Sequence, residues 1–198
     1  MTNTPCSAAR TPAAVEIISP DFPRGDFRAA IFDFDGTISL LRRNWQDVMI
    51  PMMVEILQDT GTRETRADLF RHVEEYVMRL NGKQTIYQMM QLAEEVRARG
   101  GTPREPLEYK HQYHDLLWQQ VGDRVEGVRC GRIAREVMTV PGAEEMLQAL
   151  CSRGLELYLA SGTDLKYVQD ELQVLGLDRY FGPRVYGALD DYRKFSKA

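Results

Sequence analysis

The sequence predicts an α/β protein whose parallel sheet is interrupted by a block of helices. Three observations carry that prediction. A short apolar run, Ala29-Ala30-Ile31-Phe32, leads into Asp33-Phe34-Asp35-Gly36-Thr37, and a run of this length bounded by a turn signal fits a buried strand of a parallel sheet. A second such run, Leu155–Ala160, ends at Ser161-Gly162-Thr163. Between the two, from Asn44 to about Met138, apolar residues recur at helical spacing and no strand signal intervenes.

Residues 1–25 carry Pro5, Pro12, Pro20 and Pro23 among Thr, Ala and Ser and read as an irregular leader. Within it Val15-Glu16-Ile17-Ile18 is a weak strand candidate. The first core strand follows over 28–34, and Gly36 permits the chain reversal after it. Asn44 is placed to cap a helix carrying Trp45, Val48, Met49, Met52, Met53, Ile56 and Leu57, with a kink or break at Pro51. A second helix carries Leu69, Val73 and Val77 and stops at Asn81-Gly82. A third runs from Thr85 to Gly100-Gly101, a fourth follows Pro106, and a weaker one covers about 132–138. Pro141-Gly142 opens a helix that Gly154 closes. After the second strand, a helix with Leu165, Val168, Leu172 and Leu175 ends at Gly176, and a short strand follows around Val185–Gly187. The chain therefore divides into an α/β core from 26–40 plus 139–198 and a helical insert from 41–138.

Composition narrows the function classes. An apolar fraction of 43% and a charged fraction of 27% are those of a water-soluble globular chain. A net charge of −4 gives no electrostatic reason to expect nucleic acid or an anionic membrane as partner. Cys6, Cys130 and Cys151 are odd in number and widely spaced, which makes neither a disulfide framework nor a paired-thiol metal site. With no membrane-length apolar run and no signal-peptide layout, the expected setting is reduced and cytoplasmic.

Open α/β sheets place their chemistry just beyond the carboxyl ends of their strands. Asp33 falls at such a tip and Asp35 in the loop beyond, so one carboxylate could attack an electrophile while the other moves a proton. The competing reading is an acidic turn, with Asp and Gly present for turn chemistry. Against it, Asp33 lies within the apolar run, where an ionised side chain is costly without a partner.

The string Asp33-Phe34-Asp35-Gly36-Thr37, following a strand, resembles the first signature of the haloacid dehalogenase-like hydrolases. The segments PGAEEMLQAL, LELYLASGT and LGLDRYFG resemble the later core of the phosphoglycolate phosphatase-like branch. The resemblance covers about 28–37 and 140–198, and the helical insert sits where that branch carries a helical, C1-type cap. It implies a Rossmann-like parallel core and a Mg²⁺-dependent phosphatase of small phosphorylated metabolites. Asp33 would be the nucleophile that forms an aspartyl-phosphate, and Asp35 the general acid and base. Phe34, Gly36 and Thr37 would hold the loop and phosphate oxygens, as would the Ser161 hydroxyl and the Gly162 amide. Ser161-Gly162-Thr163 read without the family is a helix N-cap turn, which also attracts anions.

The same resemblance asks for a charge-balancing lysine, here Lys197 with Lys194 as rival, and for Mg²⁺ at Asp33 and Asp35. The family's later acidic pair should follow that lysine, yet Asp190 and Asp191 precede both candidates. The expectation is a core incomplete at its C-terminus, with an uncovered sheet edge and face, and a missing segment supplied by a longer chain. The alternatives to a phosphatase are a phosphosugar mutase using the same Asp pair and a catalytically inactive module. In the insert, Arg42 (beside Arg43) and Lys83, within Asn81-Gly82-Lys83-Gln84-Thr85, are candidate anion clamps; surface charges and an ordinary interhelical turn are their plainer readings. His111 and His114 read as a solvated helix face, and Met49, Met52 and Met53 as cap packing.

Overall fold

A computed structural model of the chain describes residues 25–189 together with residues 18, 19 and 21. Lys194, Lys197, Asp190, Asp191 and most of the candidate strand at 15–18 lie outside the described residues.

Strands β1 (Ala29–Phe32), β2 (Glu156–Asp164) and β3 (Val185–Ala188) form one parallel sheet in the order β1-β2-β3. The cap inserted after β1 consists of four helices: α1 (Gln46–Gln58), α2 (Arg66–Arg79), α3 (Thr85–Ala98) and α4 (Pro106–Arg129). Helix α5 (Ala143–Ser152) precedes β2, and α6 (Leu165–Leu175) and α7 (Asp178–Phe181) connect β2 to β3. This is an α/β fold with a parallel sheet and an inserted helical cap, as the sequence predicts. Among the described residues no helix is long and apolar enough to cross a membrane.

One face of the sheet is core. Leu157 and Leu159 are fully buried and belong to a cluster with Leu147, Val168, Leu172, Leu175 and Phe181; Phe32 meets Phe181 edge on with centroids 6.3 Å apart. The other face carries Ile31, 75% exposed, and Tyr186, 57% exposed, and among the described residues β1 pairs on one side only. Parallel sheets are ordinarily covered on both faces, so this open edge and face are those the sequence anticipates for a sheet of few strands.

The chain leaves and re-enters the sheet region at one place. Leu40 N–H donates to the Met138 carbonyl at 2.8 Å and Val140 N–H to the Ile38 carbonyl at 2.9 Å, so the outgoing and returning segments run antiparallel around the Ser39–Thr139 bridge. The cap hangs from this pair of crossings. Its helices share an apolar interior that includes Met49, Met52, Met53, Leu69, Val77, Met89 and Val121, which is the packing expected for the Met-rich stripe.

Four expectations need adjusting. Asn44 does not cap α1: it sits at φ +66°, its carbonyl accepts from Asp47 N–H, and Trp45 is the cap residue. Asn tolerates the left-handed region better than most residues, so it serves here as a turn. Helix α1 also runs unbroken through Pro51, whose missing N–H falls in the second turn of the helix. The weak helix at 132–138 is a single 3-10 turn, Arg135–Met138. Finally, β2 does not stop at Ala160 but continues through Asp164. The stretch from Ala160 to Asp164 lies opposite only Tyr186 to Ala188 of β3, and such a surplus makes the strand bulge. Ser161, Gly162 and Thr163 occupy that bulge, and the residue capping α6 is Asp164.

Gly187 permits this irregular pairing. A Cβ there would lie 2.5 Å from Leu165 Cα and 2.8 Å from the Thr163 carbonyl oxygen, both backbone atoms that cannot swing aside. Gly187→Ala is therefore expected to cost about 1–3 kcal/mol by overpacking, a loss of several degrees in melting temperature. Gly25→Ala, where no atom lies within 4 Å, should melt like the parent; equal melting of all three proteins would contradict the close approach.

Candidate active site

The turn after β1 is organised by Phe34. Its side chain is fully buried, and its carbonyl accepts from the N–H groups of Thr37, Ile38 and Ser39 at 3.3, 3.0 and 2.9 Å. Gly36, at φ +79°, donates its N–H to the Ser39 carbonyl at 2.9 Å. The amides of Gly36 and Thr37 are thus engaged inside the turn, and the Phe34 side chain is core. Phe34, Gly36 and Thr37 are not among the residues that line the cavity beyond the strand tips, which differs from the phosphate-holding place the family resemblance implies for them.

The two aspartates diverge. Asp33 stands exposed immediately after β1, whereas Asp35 folds beneath the turn. The Thr163 hydroxyl donates to Asp35 Oδ2 at 2.8 Å, with the Ser161 hydroxyl 3.5 Å away, and Asp35 Oδ1 is buried without a hydrogen-bond partner. Burial pushes the Asp35 carboxyl above its ordinary value, against the opposing pull of the Arg42 charge and the Thr163 hydroxyl. The sequence placed the cost of desolvation on Asp33; the structure places it on Asp35, because β1 ends at Phe32 and the chain then turns inward.

Arg42 takes neither expected form, the free clamp or the surface charge. It is 7% exposed, and its Nε and Nη2 fork onto Glu171 of α6 at 2.9 and 2.6 Å. Burial works against the charge of Arg42, but Glu171 holds the guanidinium cationic. Arg43 is exposed, and its carbonyl and that of Leu41 accept from Arg124 of α4.

The cap closes on the bulge of β2. The turn Asn81–Thr85 rests on Gly162, where an added Cβ would lie 2.5 Å from the Lys83 carbonyl oxygen. This is a closer approach than an ordinary interhelical turn implies. Lys110 of α4, 1% exposed, brings its Nζ to 2.5 Å from Asp164 Oδ1 at the end of β2. Between these contacts lies a cavity of about 80 Å³ that gathers Asp33, Asp35, Arg42, Lys83, Ser161 and Gly162. Lys197 lies outside the described residues.

Sequence reasoning missed several members of this wall. Thr163 is adjacent to the noted serine and glycine, and its hydroxyl makes the shorter contact to Asp35. Trp45, Met49, Gln88, Tyr113 and His114 come from cap helices and line the same space. His111 is exposed as expected, but His114 is not on a solvated face: burial first, then the positive charge of Arg42 and Lys110, pushes its pKa down to about 3. Nothing in the local sequence distinguishes it, since only the seating of α4 on α6 turns it inward.

The Asp33 carboxylate and the Asp35 backbone carbonyl are the hard oxygens that would hold Mg²⁺. Among the described residues no three His, Cys, Asp or Glu side chains converge, so these two would supply only part of the octahedral shell such an ion takes.

A family model described as haloacid dehalogenase-like hydrolase matches residues 27–198. The chain belongs to that family. Comparison with curated proteins gave no match. Among solved structures, the haloacid dehalogenase-like chain is similar to a predicted phosphoglycolate phosphatase from Haemophilus somnus, with 19% identity and a TM-score of 0.48, covering 81% of this chain and 62% of that one. It is also similar to a HAD family hydrolase from Deinococcus radiodurans with bound phosphate and sodium, at 18% identity and a TM-score of 0.37, covering 81% and 58%. The chain spans about three fifths of each neighbour's length, and at this similarity neither neighbour's activity transfers to it.

A raised folded-state pKa at Asp35 has a defined sign. Folding binds the proton more tightly, so this residue favours the fold below the ordinary carboxylate range and destabilises it as pH rises. In metal-free buffer, Asp35→Asn should therefore melt above the parent at neutral pH, with the difference shrinking as the pH is lowered towards about 4. A parent that out-melts the variant at pH 7 would contradict the desolvation.

Proposed function

We propose that this haloacid dehalogenase-like hydrolase is a phosphatase of a small phosphorylated metabolite, with Asp33 as nucleophile and Asp35 as general acid and base. The observation that carries the reading is the contrast between the two carboxylates. One is open to the cavity; the other is half-buried with its Oδ1 shielded from water, hydrogen-bonded to Thr163 and biased towards its protonated form.

Each bias suits one half of the reaction. An Asp33 oxygen attacks phosphorus while the bond from phosphorus to the ester oxygen breaks, and the departing oxygen takes its proton from Asp35. Asp35, now a carboxylate, accepts a proton from water as that water attacks the aspartyl-phosphate. Phosphate leaves and both side chains return to their starting states. Ser161 and Thr163 keep Asp35 aligned through both proton transfers, and Ser161 with the Gly162 amide offers donors towards the phosphoryl oxygens. Lys197, or Lys194, is proposed to balance the accumulated negative charge. Mg²⁺ held by Asp33 and Asp35 would offset the repulsion between carboxylate and phosphate dianion. The seated cap supports exclusion of bulk water from the intermediate.

The test is release of phosphate from p-nitrophenyl phosphate with Mg²⁺. Asp33→Asn should lower kcat by on the order of 10³-fold or more, and Asp35→Asn by roughly 10²–10⁴-fold. Turnover that survives Asp33→Asn would refute the assignment, and conversion of a sugar phosphate to its isomer without phosphate release would favour the mutase.

A further inference from the structure

The part of a substrate that is not phosphate meets an unusual wall for a site that handles anions. The guanidinium lining the cavity is forked onto Glu171, and among the described residues Lys83, on an exposed turn, is the other cationic side chain there. The cap contributes Trp45, Met49 and Tyr113, apolar or aromatic surfaces, the neutral polar side chains of Asn81, Thr85 and Gln88, and an imidazole, His114, that is uncharged at neutral pH.

A second cavity, of about 280 Å³, adjoins the first, and Arg42 and His114 line both. It lies between α4 and α6. His114, Leu117, Trp118 and Val121 follow one another at helical spacing, so one face of α4 makes one wall. Tyr167 of α6 makes the other: His114 meets its ring edge on at 5.3 Å, and Trp118 lies 29° from parallel with centroids 6.4 Å apart. Trp118 is 42% exposed, an indole left half in water at the border of an apolar space. Asp115 lines this side as a carboxylate that would repel an anion, while the Lys166 ammonium rests over the Tyr167 ring, 4.8 Å from its centroid.

We propose that this second cavity receives the leaving group of the phosphate ester, and that the group it selects is uncharged and carries a planar ring. The proposal rests on the phosphoryl-transfer reading above and names its substrate class. A ring entering past Arg42 and His114 covers Trp118 and contacts the aliphatic face of Leu117 and Val121, whereas a short acid or polyol reaches neither. Trp118 is then a specificity residue that contributes through contact area and leaves the chemistry at phosphorus untouched.

Binding to Asp33→Asn tests this without the confounding effect of leaving-group reactivity. Calorimetric titration with 1-naphthyl phosphate, phosphoglycolate and inorganic phosphate should show the naphthyl ester about tenfold tighter than phosphoglycolate. Adding Trp118→Ala, at a half-exposed position whose melting temperature checks the fold, should weaken the naphthyl ester about tenfold and leave inorganic phosphate within about twofold. Phosphoglycolate binding as tightly as the naphthyl ester, indifference to Trp118→Ala, or no binding of the naphthyl ester overturns the proposal. The two readings fail separately. Trp118-dependent binding with no phosphate released by the parent protein would keep the subsite and remove the hydrolase, whereas hydrolysis of phosphoglycolate with no Trp118 dependence would do the reverse.

Discussion

A guanidinium withdrawn from water is costly unless its charge is met, and the fork of Arg42 onto Glu171 meets it at the seam between cap and core. Such pairs seldom add much net stability over an apolar replacement, but once present they dictate where their surroundings must sit. Arg42 follows directly on the outgoing crossing to the cap, and Glu171 belongs to the helix that begins where the β2 bulge ends. The pair therefore ties hinge to core helix. Its positive end lies close enough to Asp35 to temper the rise in that carboxyl's pKa and to Tyr167 to rest over its ring at 5.4 Å. Both cavities share Arg42 as a wall. One buried charge thus borders the cavity at the strand tips and the cavity between α4 and α6.

The cap meets the core at further points of different chemistry. A backbone carbonyl rests on Gly162, an ammonium meets Asp164, and Arg124 holds the carbonyls of Leu41 and Arg43. Each of these acts on the strand bulge or on the hinge, the two segments whose placement decides where Thr163 and Arg42 point. Steric, ionic and hydrogen-bonding contacts thus converge on the geometry around Asp35. A buried carboxylate with one unmatched oxygen is unfavourable for stability, and its persistence under so many constraints is the usual mark of a site kept for chemistry.

Much of the fold was legible because it depends on local signals. The strand before Asp33, the cap helices and the helix after Gly142 follow from apolar period and from Gly and Pro punctuation, and these positions are decided within a few residues. Asp33, Asp35 and Ser161 were legible for the same reason, as a strand-end pattern. What escaped was set by distant partners. Arg42 reads as a surface charge until Glu171 is brought beside it from across the chain, and His114 reads as solvated until α6 covers it. The extension of β2 was hidden because its bulge depends on Gly187 in another strand. Which aspartate bears the burial could not be read from a run in which both stand next to Phe34.

The paired crossings at Ile38–Leu40 and Met138–Val140 have a consequence for how such a protein can change over time. Because the chain departs and returns at neighbouring backbone hydrogen bonds, the sheet sees a closed loop whose ends are fixed whatever lies between. Lengthening a loop costs free energy only logarithmically, so the inserted helices can be exchanged, extended or shortened with little penalty to the strands. The acidic turn and the cap above it are consequently free to diverge at separate rates, joined by two backbone hydrogen bonds and a handful of side chains.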